Sequence, residues 1–309
     1  MLRRLLPLLA ALLLSACAPV RPAARPVAEC SPLPEPATGL LRIDFLDVGQ
    51  GDAALVTSPT GKTVLIDGGP PDAADALVAR LSRLGRPLDL ILLSHRHLDH
   101  LGGLPRVVRE VGTRMFLDAP FPHPSPAYAR LLDALAERGV EVKDASRGRA
   151  IDLGGGATLT LLGPPEPPLS RTRSDVNANS VVARLQFGAT SVLFLGDAEA
   201  DTERWLLDEQ ADRLPSRVIK VAHHGSRHSS TVRFVDAVKA EIAVVSASAR
   251  NSYGHPAAET LERWERAGAR VYRTDRDGDV TVTTDGEGVT VTTARHPGAC
   301  RTSRLEARG

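Results

Sequence analysis

Residues 94–100, Ser94-His95-Arg96-His97-Leu98-Asp99-His100, put four metal-capable side chains within six residues, directly after the apolar run 88–93. A short run that is apolar but for Asp89 reads as a buried strand. His95 and His97, at i and i+2, face the same way off its end. Asp99 and His100 follow in the loop and can turn toward a second ion. Imidazole nitrogens and a carboxylate oxygen are the usual protein ligands for zinc and its first-row neighbours. One ion needs about four such ligands, so this stretch is read as half of two sites. The remaining donors must come from other strand ends, which restricts the chain to folds that gather several strand ends at one sheet edge.

The candidate strand ends are visible. Residues 41–47 alternate apolar and polar and read as a strand. A turn follows, Val48-Gly49-Gln50-Gly51-Asp52, taken as structural. A hairpin spans 53–66 around Gly61 and stops abruptly at Asp67. Helices are predicted over 72–84, from 104, over 127–138 and over 199–209; strands over 181–187 and 191–195 lead to Gly196-Asp197. A strand over 217–222 delivers His223-His224-Gly225-Ser226, Ser230 is placed as the cap of a helix running to Lys239, and a later loop carries His255. Late strands are expected over 270–272, 279–284 and 288–292. Strand-end loops on one sheet edge are where α/β proteins assemble sites. Asp197 can bridge two ions, and His223, nearest the strand end, is favoured over His224 to join Asp99 and His100. Asp67 is read as orienting the histidine loop. Two ions about 3.5–4 Å apart acidify bound water and clamp the oxygens of an in-line displacement.

The first 38 residues are set apart. Arg3 and Arg4, the apolar run 5–14 and Ser15-Ala16-Cys17 have the form of a secretory signal. Leu14-Ser15-Ala16-Cys17 resembles the lipobox of bacterial lipoproteins, so residues 1–17 are expected to lead to a lipid on Cys17 and an exported, membrane-anchored protein facing the periplasm or exterior. Residues 18–38 are proline-rich and read as a tether. Residues 40–293 form the domain, with a polar tail over 294–309. Cys30 and Cys300 are expected to pair, since that compartment permits disulfides.

His95-x-His97-x-Asp99-His100, with Leu65-Ile66-Asp67-Gly68-Gly69 before it and Leu195-Gly196-Asp197 after it, resembles the metallo-β-lactamase superfamily. Phe45 to Asp52, Asn177-x-Asn179-Ser180 and His223-His224-Gly225-Ser226 resemble the hydrolase domain of the competence protein ComEC and its stand-alone relatives. The resemblance covers roughly residues 40–293. It implies an α/β fold, an αββα sandwich of two mixed sheets with outer helices and the metals at one edge. It implies a dinuclear hydrolase holding Zn²⁺ or Mn²⁺, with His95, His97, Asp99, His100, Asp197 and His223 as ligands. The family's third histidine on the first ion is missing; only Asn177, Asn179 and Ser180 stand in that region, a harder donor set that opens the site to manganese as well as zinc.

Catalytic roles are assigned to Asp99, to His224 (substrate contact or proton donor) and to His255 (leaving-group proton). Asn179, Ser226 and Arg227 are assigned to substrate. His228 is taken as loop surface, and His123 and His296 as solvated. Between 213 and 239 six bases face one acid, Asp236, which suits a phosphodiester beside the metals. The net charge of +1 neither demands nor excludes an anionic partner. The expected activity is a nuclease acting on DNA in the cell envelope, with DNA-uptake machinery as partner. The alternatives are hydrolysis of a β-lactam, lactone or phosphocholine ester, or non-catalytic DNA binding. No aromatic stripe for stacking bases is visible in the sequence.

Overall fold

The structure is a computed structural model in which residues 39–295 are described. Cys17, Cys30, Cys300, His296, the leader, the tether and the end of the tail lie outside the described residues.

Among the described residues, fifteen strands form two sheets. In chain order they are β1 (Leu41–Phe45), β2 (Ala54–Thr57), β3 (Thr63–Ile66), β4 (Leu90–Leu92), β5 (Met115–Asp118), β6 (Glu141–Asp144), β7 (Ala150–Gly154), β8 (Ala157–Leu161), β9 (Ala183–Phe187), β10 (Thr190–Phe194), β11 (Val218–Lys220), β12 (Ile242–Val245), β13 (Arg270–Arg273), β14 (Val280–Thr284) and β15 (Val289–Thr293). The first sheet runs β15-β14-β1-β2-β3-β4-β5-β6, the second β13-β12-β11-β10-β9-β8-β7. Each is mixed in the same way. Antiparallel neighbours fill one part, and parallel pairs follow from β3 through β6 and from β10 through β13.

Strand alternation explains the layers. Leu41, Ile43 and Phe45 point to one face of β1 and pack between the sheets with Leu185, Val192, Phe194, Val218 and Val244. Phe45 and Phe194 meet there with ring centroids 6.0 Å apart. The opposite face of the first sheet takes helices Ala74–Leu81, Leu104–Glu110 and Pro126–Glu137 through Leu77, Leu81, Val108 and Leu131. Ser125 caps the last of these, accepting from the Tyr128 amide at 3.1 Å. Helices Ala200–Glu209, Val232–Val238 and Ala258–Arg266 cover the second sheet through Leu206, Phe234 and Trp264. The result is the expected αββα sandwich.

Two local expectations change. Ser230 does not cap the helix after it; Thr231 occupies that position without a side-chain bond. Ser230 instead has φ of 59°, and its hydroxyl accepts from Trp264 Nε1 at 3.0 Å. β6 escaped the sequence because it is an edge strand with exposed residues and no apolar alternation. Among the described residues, no helix is long and apolar enough to cross a membrane.

Candidate metal centre

The parallel part of each sheet delivers the donors. β3 ends at Asp67, β4 at Ser94 and the histidine cluster, β10 at Gly196-Asp197, and β11 at His223-His224. At these ends the backbone leaves ordinary geometry. Asp67, His223 and His224 have φ of 59°, 49° and 52°. Such left-handed residues are uncommon outside glycine and gather at functional sites. Gly196 also has positive φ, and a β-carbon there would lie 2.8 Å from Ser94 Cβ. Only glycine lets β10 approach the histidine strand that closely.

Two donor groups share one carboxylate. Asp99, His100, Asp197 and His224 form one; His95, His97 and Asp197 form the other; donor atoms within each lie within 4.8 Å of one another. Asp197 Oδ1 lies 3.2 Å from His100 Nε2 and 3.7 Å from His224 Nε2. Its Oδ2 lies 3.7 Å from His95 Nε2. His224 Nε2 is 3.2 Å from Asp99 Oδ2, and His95 Nε2 is 3.1 Å from His97 Nδ1. A carboxylate with one oxygen toward each group can bridge the two sets of donors.

The electrostatics fit a cation. Burial would lower the His224 imidazole, but Asp197 and Asp52 outweigh it and push it up to about 10. His100 is raised well above its usual range against the same burial, by Asp197, Asp99 and Asp67. Burial and the neighbouring His100 keep His95 low, and so neutral. His100 Nε2 and Asp197 Oδ1 are buried without a hydrogen-bond partner in good geometry. A divalent ion satisfies such atoms and displaces protons from the raised imidazoles.

The second group differs from the expectation: His224, not His223, joins Asp99 and His100. Consecutive left-handed residues send the two side chains different ways. His224 is sealed inside, its Nδ1 3.1 Å from the Ser246 carbonyl. His223 remains partly open to the cleft; its Nδ1 is 3.1 Å from Glu199 Oε1 and its Nε2 is 3.7 Å from Asp197 Oδ2. Asp67 accepts from His100 and from Ser94. The first group gains no third histidine from the 177–180 stretch. Asn177 Oδ1 is buried there without a partner, and Asn177 lines the cleft.

The substrate assignments also shift. Asn179 is buried and fully used, accepting from the Leu169 amide and donating to the carbonyls of Leu169 and Asp175. It pins a loop and has nothing left for substrate. Ser226 is buried, and its hydroxyl accepts from the His228 amide. Arg227 is exposed, 3.7 Å from Glu259, and away from the cleft walls. The basic run does not form one surface. Lys220 is buried on Asp52, whereas Arg217, at the opposite end of β11, pairs with Glu241. His255 does stand at the cleft, its ring 5.4 Å from that of His223. So does His123, 5.1 Å from the His97 ring and not merely solvated. The cleft of about 640 Å³ in front of the donors is further walled by Leu98, Arg130 and Tyr253.

Residues 46–250 match the family model described as the metallo-β-lactamase superfamily. The chain belongs to the metallo-β-lactamase superfamily. This is a superfamily of metal-dependent hydrolases, and the described residues contain candidate donor groups for a divalent metal. The chain is 26% identical over 257 residues to ComE operon protein 3 of Bacillus subtilis (strain 168), covering 77% of this chain and 32% of that protein. It is 30% identical over 234 residues to competence protein ComA of Neisseria gonorrhoeae, covering 75% of this chain and 30% of that one. It thus spans about a third of the length of these curated relatives. The fold resembles that of the metallo-β-lactamase fold protein YhfI from Bacillus subtilis, with a TM-score of 0.50 at 12% identity, covering 75% of this chain and 96% of that one.

Proposed function

We propose that this superfamily member is a dinuclear metal-dependent phosphodiesterase that cleaves DNA. The observation that carries the reading is Asp197, whose two oxygens face two separate donor groups. Two-ion sites of that kind supply an activated water and clamp both oxygens of a phosphoryl displacement. His95, His97 and Asp197 would hold one ion, and Asp99, His100, His224 and Asp197 the other. The competence names of the relatives support nucleic acid as the substrate class.

Each other residue does work of its own at the cleft. Asp67 fixes His100 through Nδ1, leaving Nε2 for the ion. Glu199 lies 3.1 Å from His223 Nδ1, and His223, which lines the cleft, is the residue we assign to give a proton to the departing oxygen. His255 stands beside it, but burial and the neighbouring His223 push its imidazole down to about 4, so it is neutral and does not take the proton-donor role expected of it. Arg130, exposed on the cleft wall, offers a cation to a neighbouring phosphate. Tyr253, 70% exposed, stacks on His255 and presents a flat face to a base. Incubation of the purified chain with Mn²⁺ and single- or double-stranded DNA tests this directly. Cleavage that Asp99→Ala abolishes is the expected result; no cleavage by wild type, or an undiminished rate in that variant, refutes it.

The leader supports an envelope location with lipid on Cys17, and the competence names of the relatives support contact with DNA-uptake machinery. Labelling of cells with a radioactive fatty acid is expected to mark the wild-type chain and not Cys17→Ser. Equal labelling, or none, removes the anchor.

A further inference from the structure

The turn at 48–52 ends in Asp52, which is 5% exposed and has no part in the chemistry above. Asp52 Oδ2 lies 2.8 Å from Lys220 Nζ, and Oδ1 lies 3.2 Å from His224 Nδ1. Lys220 Nζ also donates to the Val221 carbonyl at 3.0 Å. The Asp52 amide donates to the Asp99 carbonyl at 3.2 Å. Gly51 passes so close beneath Asp99 that a β-carbon there would sit 2.3 Å from that oxygen. The turn therefore touches the metal donors on both sides: Asp99 through backbone, His224 through a carboxylate.

These contacts cross the molecule. Asp52 belongs to the β1–β2 connection of the first sheet. Lys220 ends β11 of the second sheet, and His224 follows it. Asp99 is supplied from the first sheet's side, so one ion must be held by residues from both. Something must set the distance between the sheets at that edge. Apolar packing between them sets it loosely, because apolar contacts are non-directional. A buried ion pair is directional but a poor source of stability, since desolvating two charges offsets their attraction. Apolar replacement of such pairs is often neutral or stabilising. A fold that keeps one beside its metal donors gains registry from it.

We propose that the Asp52–Lys220 pair is a positioning device for His224, docking one sheet on the other so that His224 Nε2 faces Asp99 and Asp197. The Ser246 carbonyl sets the imidazole tautomer, and Asp52 adds the negative charge that strengthens the ring as a ligand. Lys220 limits that charge. His100, by contrast, rests on Asp67, which has no lysine partner among the described residues. The two imidazoles of that group are thereby held differently, His100 by Asp67 and His224 by a carboxylate shared with Lys220. The inference rests on the metal centre and not on the choice of substrate.

The test uses the full chain and reads stability and metal binding separately, with no activity assay. In Asp52→Asn/Lys220→Met both charges are removed together. The metal-free double variant is expected to unfold in urea at or above the wild-type midpoint. Its affinity for Zn²⁺, measured by competition with a chromophoric chelator, is expected to fall about 10- to 100-fold for one ion of the two. The Co²⁺ absorption spectrum of that site should change with it. Asp52→Asn alone leaves Lys220 unpaired and should lower both stability and affinity. A double variant that binds Zn²⁺ within about twofold of wild type overturns the proposal. So does one whose affinity falls only in step with a lowered urea midpoint, or a wild type that binds neither ion.

Discussion

Asp67 Oδ2 lies 2.8 Å from His100 Nδ1, and the same carboxylate accepts from the Ser94 amide and hydroxyl at 2.7 Å each. Three donors thus fix one carboxylate, and that carboxylate fixes which nitrogen of His100 is free. Asp67→Asn tests this with little backbone cost, because asparagine tolerates the left-handed φ of 59° at this position. The amide accepts at one atom only, so the His100 tautomer is no longer imposed. Metal affinity at the group containing His100 is expected to drop about 10- to 100-fold. Metal content after dialysis against a weak chelator checks it. Retention equal to wild type would show that Asp67 serves the fold alone.

Asp197 and Asp99 should separate in a metal-counting experiment. Asp197 faces both groups, whereas Asp99 belongs to one. Asp197→Ala is expected to lose both ions and Asp99→Ala to lose one, as counted by native mass spectrometry. Both variants should lose phosphodiesterase activity by at least about 10²-fold if two ions act together on the displacement. One ion retained in Asp197→Ala would mean that the groups do not depend on a shared bridge.

Much of the fold was legible because strand periodicity and chemistry coincided. The run 88–93 was apolar but for Asp89 and led straight into the histidines, so both the strand and the site edge could be read at once. The same held for the strand ending at Asp197. What stayed hidden depended on backbone conformation or on pairing across the sheets. Nothing local distinguishes His223 from His224; two consecutive left-handed residues decide which ring turns inward. Asn179 sat in a suggestive motif, yet its donors and acceptor are consumed by Leu169 and Asp175. Lys220 counted as one base in a charged stretch, although a lysine closing an apolar strand was itself a sign of a buried partner. Asp52, that partner, lies far away in sequence at the end of a glycine-rich turn.

Glu203 gives a pH prediction away from the metals. It is fully buried, and its carboxylate accepts from the amides of Ser230 and Thr231. Burial outweighs those bonds and raises it from 4.5 to about 7. Below the unfolded value both states carry the proton, and the contribution to stability is fully present. As pH rises through 4.5 the unfolded chain ionises first, so stability is lost until the folded group ionises near 7. The loss is on the order of 3 kcal/mol at most. Glu203→Gln cannot ionise. Urea unfolding of the metal-free proteins at pH 5 and pH 8 should therefore show wild type losing stability relative to this variant. A difference independent of pH would mean that the amide bonds keep Glu203 charged throughout.

Tyr253 should act on substrate binding and not on chemistry. Its ring is 70% exposed at the cleft and stacks on His255 at 6.0 Å between centroids, with 19° between planes. Base–aromatic stacking is worth about 1–3 kcal/mol per base, or roughly 5- to 150-fold in KM. Tyr253→Ala is expected to raise KM for single-stranded DNA within that range and to leave kcat near wild type. An oligonucleotide carrying an abasic site next to the cleaved bond should show the same KM with wild type and variant, because it has no base to stack. Tyr253→Phe should restore wild-type KM, since the ring and not the hydroxyl is at work. A fall in kcat with unchanged KM would place Tyr253 instead in the support of His255.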